Sequence, residues 1–210
     1  MYWIKENSKP MPILQFHVSL PECSFPLWRR FQVTDDYRFD RFHQVVQLAM
    51  GWDNYHLHEF TIGDRRVGMV LDLNDDYPEP KDETKLRLRD FSLKPGDRMD
   101  YLYDFGDGWQ HLIELESIIE GDLVVPFCLE GNGRCPIEDS GGMGGYLYAL
   151  EALKDPNHPD RFFWGDEPPE SYEDYNPEFF PIKEVNAELA LFGAWHKKHP
   201  RAKSTPWHQI

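Results

Sequence analysis

Two runs rich in aromatic and β-branched residues, 98–105 and 109–118, flank Gly106-Asp107-Gly108, and no other feature constrains the chain as much. Asp-Gly between alternating apolar runs is a strong hairpin signal, because a type I′ turn needs positive φ at both central residues. The expectation is a tight Asp-Gly hairpin at the centre of the fold, spanning residues 101–117. Alternation puts Trp109, His111, Ile113 and Leu115 on one face of the returning strand. Gln110, Glu114 and Glu116 fall on the other, so His111 looks toward the core.

The flanking segments follow the same reasoning. Residues 13–20 and 28–33 read as strands around a turn-rich stretch, 21–26. Residues 38–50 read as a helix with Phe39, Phe42, Val45, Val46 and Ala49 on one side and Gly51 as its stop. Residues 55–62 are extended in character, with His56, His58, Phe60 and Ile62 on one face. Residues 72–83 read as a polar loop, 86–91 fit either a short helix or a strand, and 94–97 form a turn. Residues 126–145 read as an irregular glycine-rich loop and 145–154 as a helix. A proline- and acid-rich loop covers 168–181. The last helix, 183–198, carries Val185, Leu189, Phe192 and His196 on one stripe. The class is α+β: a single compact domain, with a mainly antiparallel or mixed sheet, a central hairpin and about three to four helices. Its expected limits are 11–198, with an N-terminal extension over 1–10 and a tail over 199–210. A chain of 210 residues suffices for one sizeable core.

A net charge of −15 repels phosphates and anionic membranes, which disfavours autonomous nucleic-acid binding and membrane association. The acids concentrate in 72–83 and 166–178, read as solvated loops. Cys23, Cys128 and Cys135 are too few for a disulfide framework. No apolar run follows the N-terminus and none reaches transmembrane length, so cytoplasm is the expected compartment. Abundant aromatics beside acids suit a protein or peptide partner of basic character.

Candidate chemistry gathers in a few places. Asp104, Asp107 and His111 flank Trp109 in the hairpin, and carboxylates with imidazole bind divalent cations or serve as general acid and base. His56 and His58, two apart on a strand, point the same way. With His111 they would form a three-imidazole metal site, and Cys128 and Cys135 with two histidines would form another. The glycines of 131–145 lead into a helix without a Gly-Lys-Ser/Thr ending, so no nucleotide cofactor is expected. Glu138 and Asp139, just before that helix, fit capping and dipole partners. There is no nucleophile elbow.

Four segments in order resemble one family. They are Leu27-Trp28-Arg29-Arg30-Phe31-Gln32-Val33; Met50-Gly51-Trp52-Asp53 with His56-Leu57-His58-Glu59-Phe60; Tyr103-Asp104-Phe105-Gly106-Asp107-Gly108-Trp109-Gln110-His111; and Cys135-Pro136-Ile137-Glu138-Asp139-Ser140-Gly141-Gly142 with Gly145-Tyr146. Together they resemble the plasmid pRiA4b ORF-three-like family. The resemblance implies a compact α+β domain and a passenger role in plasmids or mobile elements, and it implies little about activity. Family members usually read Cys-Pro-Pro-Glu-Asp-Cys-Gly-Gly in the fourth segment. Ile137 and Ser140 replace the second proline and second cysteine here, leaving Glu138, Asp139 and the glycines as the retained polar part. The leading functional expectation is a binding or accessory module. The alternatives are a metal-dependent hydrolase or nuclease-like enzyme built on His56, His58, Asp104, Asp107 and His111 with Glu138 and Asp139, and a DNA-recombination accessory factor.

Overall fold

The computed structural model describes residues 11–71, 78–164, 169, 171–200 and 202. The chain runs β1 (Pro12–Ser19), β2 (Trp28–Thr34), α1 (Phe39–Met50), β3 (His58–Ile62), β4 (Arg65–Gly68), β5 (Lys81–Asp82), β6 (Arg98–Tyr103), β7 (Trp109–Glu120), β8 (Phe127–Asn132), α2 (Gly142–Lys154), α3 (Tyr172–Tyr175) and α4 (Ile182–Lys198). Tight 3-10 turns occupy Leu88–Phe91 and Pro159–Trp164. The strands form one sheet in the order β5-β4-β3-β6-β7-β1-β2-β8. Its pairs are antiparallel except for β4 with β5, so this is a mixed sheet in an α+β domain.

Period-2 alternation makes one face of the sheet apolar. Phe16 lies between Phe31 and Leu115, Met99 is opposite Ile113, Tyr101 opposite His111, and Phe60 between Val67 and Tyr101. The other face is ionic: Arg30 pairs with Glu116 at 2.6 Å, Gln15 donates to Glu116 at 2.9 Å, and Arg98 pairs with Glu114 at 2.8 Å. The first face is covered by α1, of which every residue except Arg41 is buried. That helix ends as its sequence predicts, with Gly51 at φ 107° and its N–H donating to the Gln47 carbonyl.

Arg29 binds the end of α1. Its guanidinium is buried, donating to the Ala49 carbonyl at 2.7 Å, to Met50 at 3.3 Å and to Asn132 of β8 at 2.8 Å, and it stacks on Phe180. A cation at the negative end of a helix, with its donors on backbone carbonyls, joins β2, α1 and β8 in one contact. Burial pulls its pKa down to about 10.

Several segments differ from the sequence-based expectation. The strands of the central hairpin pair down to Tyr103 opposite Trp109, but the tight Asp-Gly turn is not formed. Residues 104–108 make a wider loop in which Asp104 and Gly108, not Asp107, take positive φ, at 54° and 71°. The Gly108 N–H closes this loop on the Asp104 carbonyl at 2.7 Å. The stretch 126–145 is not wholly irregular, because β8 lies inside it. Glu130-Gly131-Asn132 has poor strand propensity, and pairing with β2 imposes the extension. Gly131 is required there: a Cβ would come within 2.5 Å of the Phe180 ring. The Asn186 side chain of α4 then takes both backbone groups of Cys128, accepting from its N–H at 2.8 Å and donating to its carbonyl at 2.9 Å.

The acid run 72–83 is not all solvated loop. Residues 72–77 lie outside the described residues, Lys81–Asp82 is β5, and Glu83 is buried. The loop 168–181 contains α3, while 166–168 and 170 lie outside the described residues, as do the extension 1–10, residue 201 and residues 203–210. Helix α2 begins at Gly142, earlier than expected. Among the described residues no helix is long and apolar enough to cross a membrane.

Candidate functional site

Three connections meet at one end of the sheet: the bend before β3, the 104–108 loop and residues 136–141 ahead of α2. The last of these is held in place by the other two. Trp52 Nε1 donates to the Pro136 carbonyl at 2.9 Å, the Asp53 N–H to Glu138 at 2.9 Å, and the Gly141 N–H to Asp107 Oδ2 at 3.0 Å. Tyr103 accepts from the Tyr55 N–H at 3.1 Å and donates its phenol proton to Glu138. Burial, then the Glu138 carboxylate, pushes the Tyr103 phenol well above its ordinary range. Gly142 seats against the hairpin loop, since a Cβ there would stand 2.2 Å from the Asp107 carbonyl oxygen.

The meeting point brings together His56, Asp104 and Asp139. His56 Nε2 is 3.1 Å from Asp139 Oδ1 and 3.7 Å from Asp104 Oδ2. One ligand atom from each residue lies within 4.8 Å of the others. Both carboxylates stand on left-handed backbone, Asp104 at φ 54° and Asp139 at φ 57°. Asp tolerates this conformation better than most residues. At Asp104 the twist divides the labour of the carboxylate: Oδ1 accepts from the Gly106 N–H at 2.9 Å, and Oδ2 is left facing His56. Asp104 is buried, while Asp139 is exposed and His56 lies between these extremes.

The other sequence-predicted residues are placed elsewhere. His58 is buried, with Nε2 2.6 Å from Glu83 and its ring stacked on His43 at 3.3 Å with planes parallel to within 1°. Burial pushes the His58 imidazole down to about 3 and raises the Glu83 carboxyl. His58 is therefore neutral, and it shares a hydrogen bond with the Glu83 carboxyl. The tautomer of His43 follows from its neighbours. The Asn54 side-chain oxygen can only accept, so His43 carries its proton on Nε2, and Nδ1 accepts from the Tyr101 hydroxyl at 2.8 Å, which itself accepts from Gln47 at 2.8 Å. Burial, then the neighbouring His58, holds His43 neutral.

His111 points inward from β7, as alternation predicts. Its Nδ1 lies 3.2 Å from the Tyr101 carbonyl and 3.0 Å from that of Trp109, its ring meets Trp52 edge-on, and burial pushes it down to about 4. A three-imidazole site is thus not assembled: His58 is engaged with Glu83 and His43, and His111 with two carbonyls. Trp109 is buried against Trp52.

Cys128 donates to the Arg30 and Glu130 carbonyls, Cys135 lies under Gly51, and burial raises both thiols. Neither joins the ligand group found among the described residues. Glu138 and Asp139 do not cap α2, which has no side-chain cap and no acid in its first turn. They turn toward β6 and His56 instead. His43, Glu83, Asn54 and Tyr103 were missed by sequence reasoning. The available signal was His43 and Gln47, two polar residues one turn apart that interrupt the apolar side of α1.

Beside the 104–108 loop is a cavity of about 220 Å³ whose walls include Leu57, His58, Met69 and Phe105. The three apolar residues among them are substantially exposed.

A family model described as plasmid pRiA4b ORF-3-like protein matches residues 12–184. The chain belongs to this family. The matched region of this pRiA4b ORF-3-like protein holds the sheet and all three connections of the site. It is 39% identical over 148 residues to the uncharacterized protein y4hQ of Sinorhizobium fredii, covering 70% of this chain and 75% of that relative. It is also similar to a crystal structure, that of protein of unknown function MM3350 from Methanosarcina mazei Go1. There the TM-score is 0.71 at 32% identity, over 83% of this chain and 98% of the other.

Proposed function

We propose that this pRiA4b ORF-3-like protein is a binding or accessory module that holds a divalent cation on His56, Asp104 and Asp139. The observation that carries the proposal is the convergence of one imidazole nitrogen and two carboxylate oxygens within 4.8 Å. This donor set suits a borderline or hard ion such as Zn²⁺ or Mn²⁺, and the exposed side at Asp139 leaves coordination positions for water or for a group from a partner. The apolar groove next to it supports the binding half of the reading: Leu57, Met69 and Phe105 would take an apolar side chain of a basic protein or peptide drawn by the net charge of −15. A passenger role in plasmids or mobile elements is supported only by the family's name, and the charge runs against DNA binding without help.

Elemental analysis and thermal shift of tag-free protein test the cation. Stoichiometric metal, with a midpoint raised by Mn²⁺ or Zn²⁺ in the parent but not in Asp104→Asn, is the expected result. No bound metal and no shift would overturn it. A second reading draws on Glu138, adjacent in sequence to Asp139 and hydrogen-bonded to Tyr103. In that reading the Glu138 carboxylate would take a proton from a metal-bound water, which is hydrolytic chemistry. Mn²⁺-dependent cleavage of a phosphodiester or ester that Glu138→Gln removes would support this, and its absence across both substrate classes would leave the module without catalysis.

A further inference from the structure

Away from the cation cluster, this acidic chain carries a pocket of the opposite sign. A cavity of about 210 Å³ opens where α1, the start of the turn at Leu88–Phe91 and α4 approach one another. Arg41, Arg87 and Lys197 line it, and among the described residues Asp36 is the one lining carboxylate. That carboxylate is already engaged, accepting from Thr34 Oγ1 at 2.6 Å and lying 3.8 Å from Arg87. Arg41 spends one nitrogen on the Pro200 carbonyl at 2.7 Å, and its buried Nε has no hydrogen-bond partner among the described residues. Lys197 makes no ion pair among the described residues and is exposed.

The local field agrees with this inventory. His196, in the same wall, is pushed down to about 3, first by burial and then by Arg41 and Arg38. Arg41 is itself lowered by burial and by Arg38. Asp40 is taken up by Arg38 at 2.7 Å and does not neutralise the pocket. One side of the wall is apolar, made by Leu123, Val124 and Val125, with Val124 strongly exposed; Thr34 and Tyr37 also line the cavity.

We propose that this pocket binds a small phosphate monoester. Its phosphate would sit between Arg41 and Lys197, and its short apolar stem would lie along residues 123–125. Guanidinium and ammonium donors form charge-assisted hydrogen bonds to phosphate oxygens, and the pocket's apolar half distinguishes an ester from the free ion. The site shares no residue with the His56 cluster, so the two proposals stand or fall separately.

The test is calorimetric titration of the full chain with inorganic phosphate, butyl phosphate and butyrate. Butyl phosphate is expected to bind with a dissociation constant on the order of 1 mM, roughly tenfold tighter than inorganic phosphate, and butyrate more weakly than either. Arg41→Gln and Lys197→Gln should each weaken butyl phosphate roughly tenfold with little change in the unfolding midpoint. Lys197→Gln is the safer variant, because that side chain is exposed. Three results would overturn the proposal: no saturable binding up to about 10 mM, butyl phosphate binding unaffected by both substitutions, or butyrate binding as tightly as butyl phosphate.

Discussion

His58 with Glu83 and His56 with Asp139 are both imidazole–carboxylate pairs, two residues apart at the start of one strand, yet they have opposite characters. The first is sealed. Its ring is packed on His43, its nitrogen bonded to Glu83 at 2.6 Å, and both groups are driven toward their neutral forms by burial. The second is open on the Asp139 side and carries a second carboxylate, Asp104. Desolvation penalises charge in the interior, so the sealed pair serves as a polar fastener between β3 and the segment after β5. At the rim, two carboxylates face one imidazole from a side open to solvent, and that donor set suits a cation. Residue type does not separate the two pairs. Depth does.

The largest effect expected from this contrast is on the sealed side. His58→Ala leaves the buried Glu83 carboxyl without its partner and a cavity where the ring was packed, and should cost about 3 kcal/mol in urea unfolding. A loss near zero would show that the interior tolerates the carboxylate alone, and the contrast would fail. On the open side, Mn²⁺ at about 100 times its dissociation constant should stabilise the parent by about 2.7 kcal/mol and Asp104→Asn not at all.

The acid response comes third. His43, His58 and His111 are held neutral when folded but take a proton near 6.5 when unfolded. Between pH 6.5 and about 4 the unfolded chain therefore binds more protons, and stability falls as pH falls. The slope is about 1.4 kcal/mol per pH unit for each histidine. Glu83, raised above its ordinary 4.5, acts in the opposite sense at the lower end of this window. Unfolding midpoints from pH 7 to 5 check the sign, and a flat profile would mean that the imidazoles charge without unfolding the chain.

The smallest effect sharpens the contrast most. Without metal, His56→Ala should change stability by no more than about 0.5 kcal/mol, since the half-open residue gives up only a screened pair. A cost as large as that of His58→Ala would make the rim structural.

The sequence made the regular parts legible. Period-2 patterning placed Trp109, His111, Ile113 and Leu115 inward, and the 3.6-residue period placed Val185, Leu189, Phe192 and His196 on one stripe, all of them buried. It also singled out His56, Asp104 and Asp139, but it could not show that they meet. Their convergence depends on two left-handed aspartates that turn carboxylates out of the strand direction, and on pinning of 136–141 by Trp52, Asp53 and Asp107. Alternation assumes an unbroken strand, and the Asp104 twist breaks it. Glu83 stayed hidden because a carboxylate in an acidic run looks solvated until a buried histidine is found beside it.

The amide of Asn186, which takes both backbone groups of Cys128, covers part of a sheet edge. An open sheet ends in unpaired backbone groups, and those invite a second molecule to add a strand. At the β8 end a side chain imitates that missing strand for one residue, while the other end finishes on the two-residue β5. Asn186→Ala is expected to free that stretch of the β8 edge, and concentration-dependent association in sedimentation checks it.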